Sequence, residues 1–366
     1  MPRGIGPEVA LDTGYPQKVD RLPKLDAMRV LGIVAVIGVI HSQSYIEAAA
    51  GTSLRDVPGW ELTAGALALG PVTFVAGYAA RLSHEHLARR ERNVGRQFLK
   101  RRLVRLYPLY LLAFCLFAAL WYRDMSPEWI AMQVLGVGIL VSRVAPPLLT
   151  TLYYVQLVMM FYAVFAVVMT VKATRWRLSA IVAGFVVCAV IATLVGNTRL
   201  AIYYPCFFLG VVAGRQLAAP AKPITYPLAF AVLAGMIAVL TIVPMSGTLS
   251  GLLRAIVGIS SVVVFGPIAA WVARRLSATA LKALSYGSFC AYLLHRPLYQ
   301  LLLYLIGSHG IYWAVLTFVA LGTALAFVVG YGLQRCYDAL LGLMAVLRLR
   351  RQPPENRREQ PGGGPE

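Results

Sequence analysis

Ten apolar runs of spanning length succeed one another along this chain, at about 28–46, 61–81, 103–122, 148–171, 178–196, 200–217, 226–244, 252–272, 284–306 and 311–334. About twenty apolar residues cover the hydrocarbon thickness of a bilayer. In lipid no water is present to satisfy N–H and C=O groups, so each such run has to be helical. The expected fold is therefore all-α: a polytopic membrane helix bundle with about ten transmembrane helices. Composition agrees, because the chain is 59% hydrophobic and 13% charged, whereas soluble domains carry about a quarter charged residues. A shorter apolar stretch, Trp129–Val141, is too short to cross easily and reads as re-entrant or interfacial.

The net charge of +19 is distributed as a topology signal. With the N-terminus in the cytoplasm and one crossing per run, 28 of the 34 Lys and Arg fall on the cytoplasmic side. The exceptions are Arg55, Arg123, Arg143, Arg199, Arg254 and Arg296. The positive-inside rule predicts this bias, and it excludes nucleic acid as the partner that explains the charge. Both termini are then cytoplasmic. Residues 1–25 form a polar tail without the apolar core of a cleaved signal peptide. Residues 26–346 form the membrane domain, and 347–366 a Pro-, Gly- and charge-rich tail expected to be disordered. The five cysteines are scattered without metal-ligand spacing and read as buried structural thiols. No internal repeat suggests a transporter built of two halves.

Within this apolar background a few polar residues need a reason. His41 lies at the end of the run Val30–Ile40, twelve residues after Arg29. At about 1.5 Å rise per residue, that places the imidazole roughly 18 Å from the basic entry formed by Lys18, Arg21, Lys24 and Arg29. Ionisable groups inside transmembrane segments are costly and usually face a cavity or pathway. Arg102 and Arg105 are three apart and share a helix face. Tyr153 and Gln156 can hydrogen-bond a hydroxylated ligand. Arg296 sits inside the ninth run beside His295, followed by Pro297. The triplet His84-Glu85-His86 resembles a metal-site fragment but lacks further ligands, and no metal is expected.

The order of these elements resembles the acyltransferase 3 membrane family, whose members O-acylate cell-surface glycans and related molecules. Leu25-Asp26-Ala27-Met28-Arg29, with His41 at the tip of the first span, is similar to the family's opening Leu-Asp-Gly-Leu-Arg run and its histidine. Arg102-Leu103-Val104-Arg105-Leu106-Tyr107-Pro108 looks like its Arg-x-x-Arg motif before Tyr-Pro. Tyr292-Leu293-Leu294-His295-Arg296-Pro297 resembles its late Tyr-Leu-x-His-x-Pro pattern, and Val72–Tyr78 is a loose version of its Phe-Phe-x-x-Ser-Gly-Phe element. The family's middle-span Trp-Ser-Leu-x-x-Glu stretch is replaced here by Leu152-Tyr153-Tyr154-Val155-Gln156-Leu157, which has no carboxylate. An acid to orient His41 would have to come from Asp26, Glu47 or Glu61.

The resemblance implies a bacterial inner-membrane O-acyltransferase that binds no resident cofactor. It uses acyl-CoA, with acetyl as the expected acyl group, as co-substrate, and a glycan or lipid-linked glycan as acceptor. His41 would be the general base, since imidazole titrates near neutrality and can both take and return a proton. Arg29, Arg102 and Arg105 would hold the donor's phosphates, for which bidentate guanidinium groups are suited. Asp26, Tyr153, Gln156, His295 and Arg296 would contact the acceptor or support the site. The alternative is a transporter or flippase for a lipid-linked or polyanionic solute.

Overall fold

A computed structural model describes residues 22–51, 60–89, 93–121, 125–141, 152–171, 173–213, 225–243, 247–308 and 310–351. Among these, every regular element is helical. Helix α1 (Pro23–Ala35) runs into a π-helical turn (Val36–His41) and then α2 (Gln43–Ala50). Next come α3 (Trp60–Ala88), α4 (Val94–Trp121), the short α5 (Pro127–Val134) and a 3-10 turn (Gly138–Val141). Then follow α6 (Tyr153–Val168), α7 (Thr174–Val195), α8 (Arg199–Ala213), α9 (Thr225–Ile242), α10 (Gly247–Arg275) and α11 (Ala278–Ile306). The last unit is α12 (Ile311–Val315), a second π turn (Leu316–Gly322) and α13 (Thr323–Arg351).

Each of the ten apolar runs is occupied by one helical unit. Six of these units are long and apolar enough to cross a membrane: Pro23–Ala50, Trp60–Ala88, Val94–Leu120, Thr174–Val195, Leu249–Arg275 and Ile311–Met344. Tyr153–Val168, Arg199–Ala213 and Pro227–Ile242 are apolar but shorter. The chain is thus a multi-pass membrane protein. The stretch Trp129–Val141 is occupied by most of the short α5 and by the 3-10 turn. Of the expected tail 1–25, positions 1–21 lie outside the described residues, as does the segment after Arg351, while Pro23 to Leu25 already form the first turn of α1. Helix α13 runs past the boundary set at residue 346, because Leu, Met and Ala here are strong helix formers. His84, Glu85 and His86, expected in a loop, extend α3 by two turns, where Glu85 pairs with Arg81 (2.7 Å). Of the five cysteines read as buried thiols, Cys188, Cys206 and Cys290 are buried, but Cys115 on α4 and Cys336 on α13 are exposed, where a small apolar thiol suits lipid.

Without a hydrophobic drive between helices, membrane bundles rely on close packing at small residues. Helices α3 and α8 cross at reciprocal glycines: a Cβ on Gly77 would strike the Phe207 carbonyl, and one on Gly210 the Phe74 carbonyl. Arg81 Nη1 donates to the last carbonyls of α8, Val211 (3.0 Å) and Val212 (3.1 Å), which have no partner within their own helix. Helix α11 packs on α13 and on the α1 unit, and this arrangement brings residues about 254 positions apart into one site.

Candidate active site

The first helical unit carries two ionisable residues, Arg29 and His41, and the π turn that ends at His41 bears on their mutual orientation. In a regular helix, twelve residues at 100° each leave the two side chains about 120° apart. A π turn inserts roughly one residue. The spacing then counts as about eleven, close to three full turns, and both groups come to about the same face some 16–17 Å apart. The six residues Val36–His41 form that π turn. Its loosened backbone is held from outside. The Tyr299 hydroxyl donates to the Ile37 carbonyl (3.1 Å) and lies 3.1 Å from Thr323 Oγ1, at the end of the second π turn.

His41 meets His295. Nδ1 of His41 is 2.8 Å from Nε2 of His295, and Nδ1 of His295 is 2.5 Å from the Tyr292 carbonyl. The rings are parallel to within 10° with centroids 4.9 Å apart. The nitrogens are far closer than the centroids, so the rings meet edge to edge. The carbonyl can only accept, so His295 Nδ1 carries a proton. Neutral His295 then presents a lone pair at Nε2, and His41 must donate to it from Nδ1. This relay leaves the lone pair of His41 on Nε2, the state a general base requires. His295 is fully buried, Tyr299 packs edge-on against it (87°), and Tyr45 packs edge-on against Tyr299.

A cavity of about 290 Å³ lies beside α1, between Arg29 and Tyr292. Arg29, Arg102 and Arg105 line one end, with Tyr162, Ser285, Tyr286 and Gln334. Tyr154 and Tyr292 line it toward His41, whose ring centroid is 6.4 Å from that of Tyr292. Arg102 is oriented by its Nη2 bond to the Ala79 carbonyl (2.9 Å) and by the Phe98 and Tyr162 rings beneath it. Tyr154 stands edge-on to Tyr292, with its hydroxyl 3.2 Å from Thr73 Oγ1. At the arginine end, Ser285 donates to Asp26 (2.5 Å). Tyr286 donates to Asp338, which also accepts from Gln334 (3.0 Å).

Arg29, Arg102 and Arg105 therefore come together in the cavity lining, while His41 and His295 pair with each other beside its Tyr292 wall and do not themselves line it. Asp26 belongs to the arginine end and supports Ser285 rather than His41. The carboxylate sought for His41 is replaced by a second imidazole. Gln156 lies elsewhere. It is 1% exposed, accepts from the Ile139 N–H (2.8 Å) and donates to Tyr110 (2.6 Å) and Gln133 (2.5 Å), so it anchors the 3-10 turn to α6. Tyr153 lies under the Arg199 guanidinium, 4.6 Å from ring centroid to carbon. Arg296 follows His295 directly, with the Tyr45 hydroxyl 3.4 Å from its carbonyl.

Sequence reasoning did not assign Tyr292, Tyr299, Asp338 or Arg199. Tyr292 is legible as the first residue of the Tyr-Leu-x-His pattern, and Gln334 with Asp338 as a polar pair four apart on an apolar helix. Tyr299 and Arg199 carry no local signal, because their roles depend on carbonyls and rings from other helices.

No curated protein and no solved structure matches the chain. A family model described as an acyltransferase domain matches residues 22–335, which include the cavity, the paired imidazoles and nearly all the helices that carry them. The chain belongs to the acyltransferase 3 family and is a membrane acyltransferase, transferring groups other than aminoacyl groups.

Proposed function

We propose that this protein moves an acyl group, acetyl in the simplest case, from acyl-CoA to a hydroxyl of an exported or lipid-linked glycan at a bacterial inner membrane. All ten helical units cross the bilayer in this scheme, with both termini cytoplasmic. The arginine end of the cavity then faces the cytosol, where acyl-CoA is made. The observation that carries the reading is the continuous cavity from Arg29, Arg102 and Arg105 to Tyr154 and Tyr292 beside His41. A narrow arm ending in a thioester fits such a passage, with its phosphates left at the guanidinium groups.

In the reaction, the acceptor hydroxyl approaches His41 from the end opposite the arginines. His41 Nε2 takes the hydroxyl proton as the oxygen attacks the thioester carbonyl. The new C–O bond forms, the C–S bond breaks, and the imidazolium returns its proton to the departing thiolate. His295 accepts the Nδ1–H throughout and keeps the reacting nitrogen on the substrate side. Direct transfer needs no nucleophile from the protein.

His41→Ala in membranes tests the reading. Transfer of labelled acetyl from acetyl-CoA to glycan is expected to fall by about 10²–10⁴-fold, the usual contribution of a positioned general base. A folded variant with undiminished transfer eliminates the role.

A further inference from the structure

The hydroxyls that α11 contributes to the cavity can only accept hydrogen bonds. Ser285, Tyr286 and Ser288 all line it. Each spends its proton elsewhere: Ser285 donates to Asp26 (2.5 Å), Tyr286 to Asp338, and Ser288 to the Ser285 carbonyl (2.8 Å). Gln334 holds the second oxygen of Asp338 (3.0 Å), which keeps that carboxylate in place behind Tyr286. A hydroxyl has one proton and two lone pairs, so the three oxygens remain as acceptors. Among the described residues, none donates a hydrogen bond to them. Ser285 and Ser288 are buried, where polar atoms normally find their partners. The same cavity holds Arg29, Arg102 and Arg105, which carry only donors, and an apolar wall that includes Ile33, Val72, Ala76 and Val158. A ligand that matches this lining has oxyanions for the guanidinium groups, N–H donors for α11 and methylenes for the apolar wall. Ser285 and Ser288 are three apart on one helix, which puts their Cβ atoms about 5–6 Å apart.

We propose that Ser285, Tyr286 and Ser288 bind the two amide N–H groups of the donor's pantetheine arm. The amide nearer the phosphates meets Ser285 and Tyr286, and the amide nearer the thiol meets Ser288. This rests on the acyl-CoA reading above and adds the atoms that recognise the arm. The two amide nitrogens of that arm are four bonds apart, about 5 Å when extended, which matches the spacing of the two serines. An acceptor-only surface repels phosphate oxygens. It therefore keeps the phosphates at the guanidinium groups and directs the arm along α11 toward Tyr292, seven residues and about 10 Å beyond Ser285. It also disfavours an acyl donor without N–H groups, such as an acyl phosphate or a glycerolipid ester, which would leave the buried oxygens unpaired.

Calorimetric titration of the purified full-length protein in detergent tests the contact without knowledge of the acceptor. The probes are coenzyme A, two analogues in which one arm N–H or the other is replaced by a methylene, and 3′,5′-ADP, which has phosphates but no arm. Each analogue is expected to bind about 2- to 10-fold more weakly than coenzyme A, the usual worth of a neutral hydrogen bond. Ser288→Ala should weaken coenzyme A by a similar factor and show no further loss with the thiol-side analogue, the non-additivity that marks a direct contact. Ser285→Ala combined with Tyr286→Phe, which keeps the ring against Tyr331 (5.6 Å), should behave likewise with the phosphate-side analogue. Affinity for 3′,5′-ADP should stay unchanged in both variants, which shows that they fold with the arginine end intact. Analogues that bind as tightly as coenzyme A, or losses that multiply between variant and analogue, overturn the contact and leave the donor reading standing. A loss of 3′,5′-ADP affinity as large as that of coenzyme A also overturns it, because the hydroxyls would then act at the phosphate end. Failure of the unsubstituted protein to bind coenzyme A overturns the donor reading, and the contact with it.

Discussion

Replacing His295 by Ala probes the paired-imidazole relay most directly. His295 Nε2 is the acceptor for His41 Nδ1–H at 2.8 Å, in surroundings where His295 itself is 0% exposed. The substitution leaves a buried N–H without a partner, at a cost of about 1–3 kcal/mol. His41 can recover that energy by moving its proton to Nε2 or by turning its ring, and either change removes the reactive lone pair. If the lost bond was what selected the active tautomer, the competent fraction falls by about 5- to 150-fold, at roughly 1.4 kcal/mol per factor of ten. The ceiling is the His41→Ala effect itself, because His295 acts only through His41. Labelled acetyl transfer in membranes at saturating acetyl-CoA gives the four rates of a double-mutant cycle. His295→Ala should lower the rate within that range, with little change in the acetyl-CoA KM. His41→Ala/His295→Ala should be no slower than His41→Ala alone, the non-additivity expected of groups working as a unit. If the two effects multiply, His295 serves some function independent of the His41 tautomer and the relay is refuted.

Other perturbations separate donor binding, positioning and packing. Arg102→Ala and Arg105→Ala should each raise the acetyl-CoA KM by about 10-fold or more, from about 1.5–3 kcal/mol per charge-assisted hydrogen bond, with kcat nearly constant; a kcat loss at unchanged KM contradicts their role at the donor phosphates. Tyr299→Phe removes the hydroxyl that donates to the Ile37 carbonyl in the π turn, so it should reduce kcat without changing donor KM; an unaltered kcat shows that the turn holds His41 without that bond. Gly77→Ala places a methyl against the Phe207 carbonyl and should cost about 1–3 kcal/mol of stability, read as a lower melting temperature in detergent. A melting temperature equal to that of the unsubstituted protein would mean that α3 and α8 can separate freely.

The sequence by itself determined the class of fold. Ten apolar runs in lipid leave the backbone no alternative to helices, and each expected run holds one. It also marked His41, His295, Arg29, Arg102 and Arg105, because charge and titratable rings inside apolar stretches are expensive and therefore informative. Local pattern could not say which of these face one another. By helix geometry the extra residue of the π turn rotates His41 toward the face of Arg29, and the turn's Ile37 carbonyl is met by Tyr299 from a helix more than 250 residues along the chain. Gln156 shows the opposite case. A polar residue in an apolar run looks like a ligand group, but its amide is consumed by Tyr110, Gln133 and the Ile139 N–H. Only the tertiary structure replaced the missing carboxylate with a second imidazole. Hydrogen bonding is a short-range pairing of specific atoms, and the partners here come from helices distant in sequence, so composition and periodicity do not encode it.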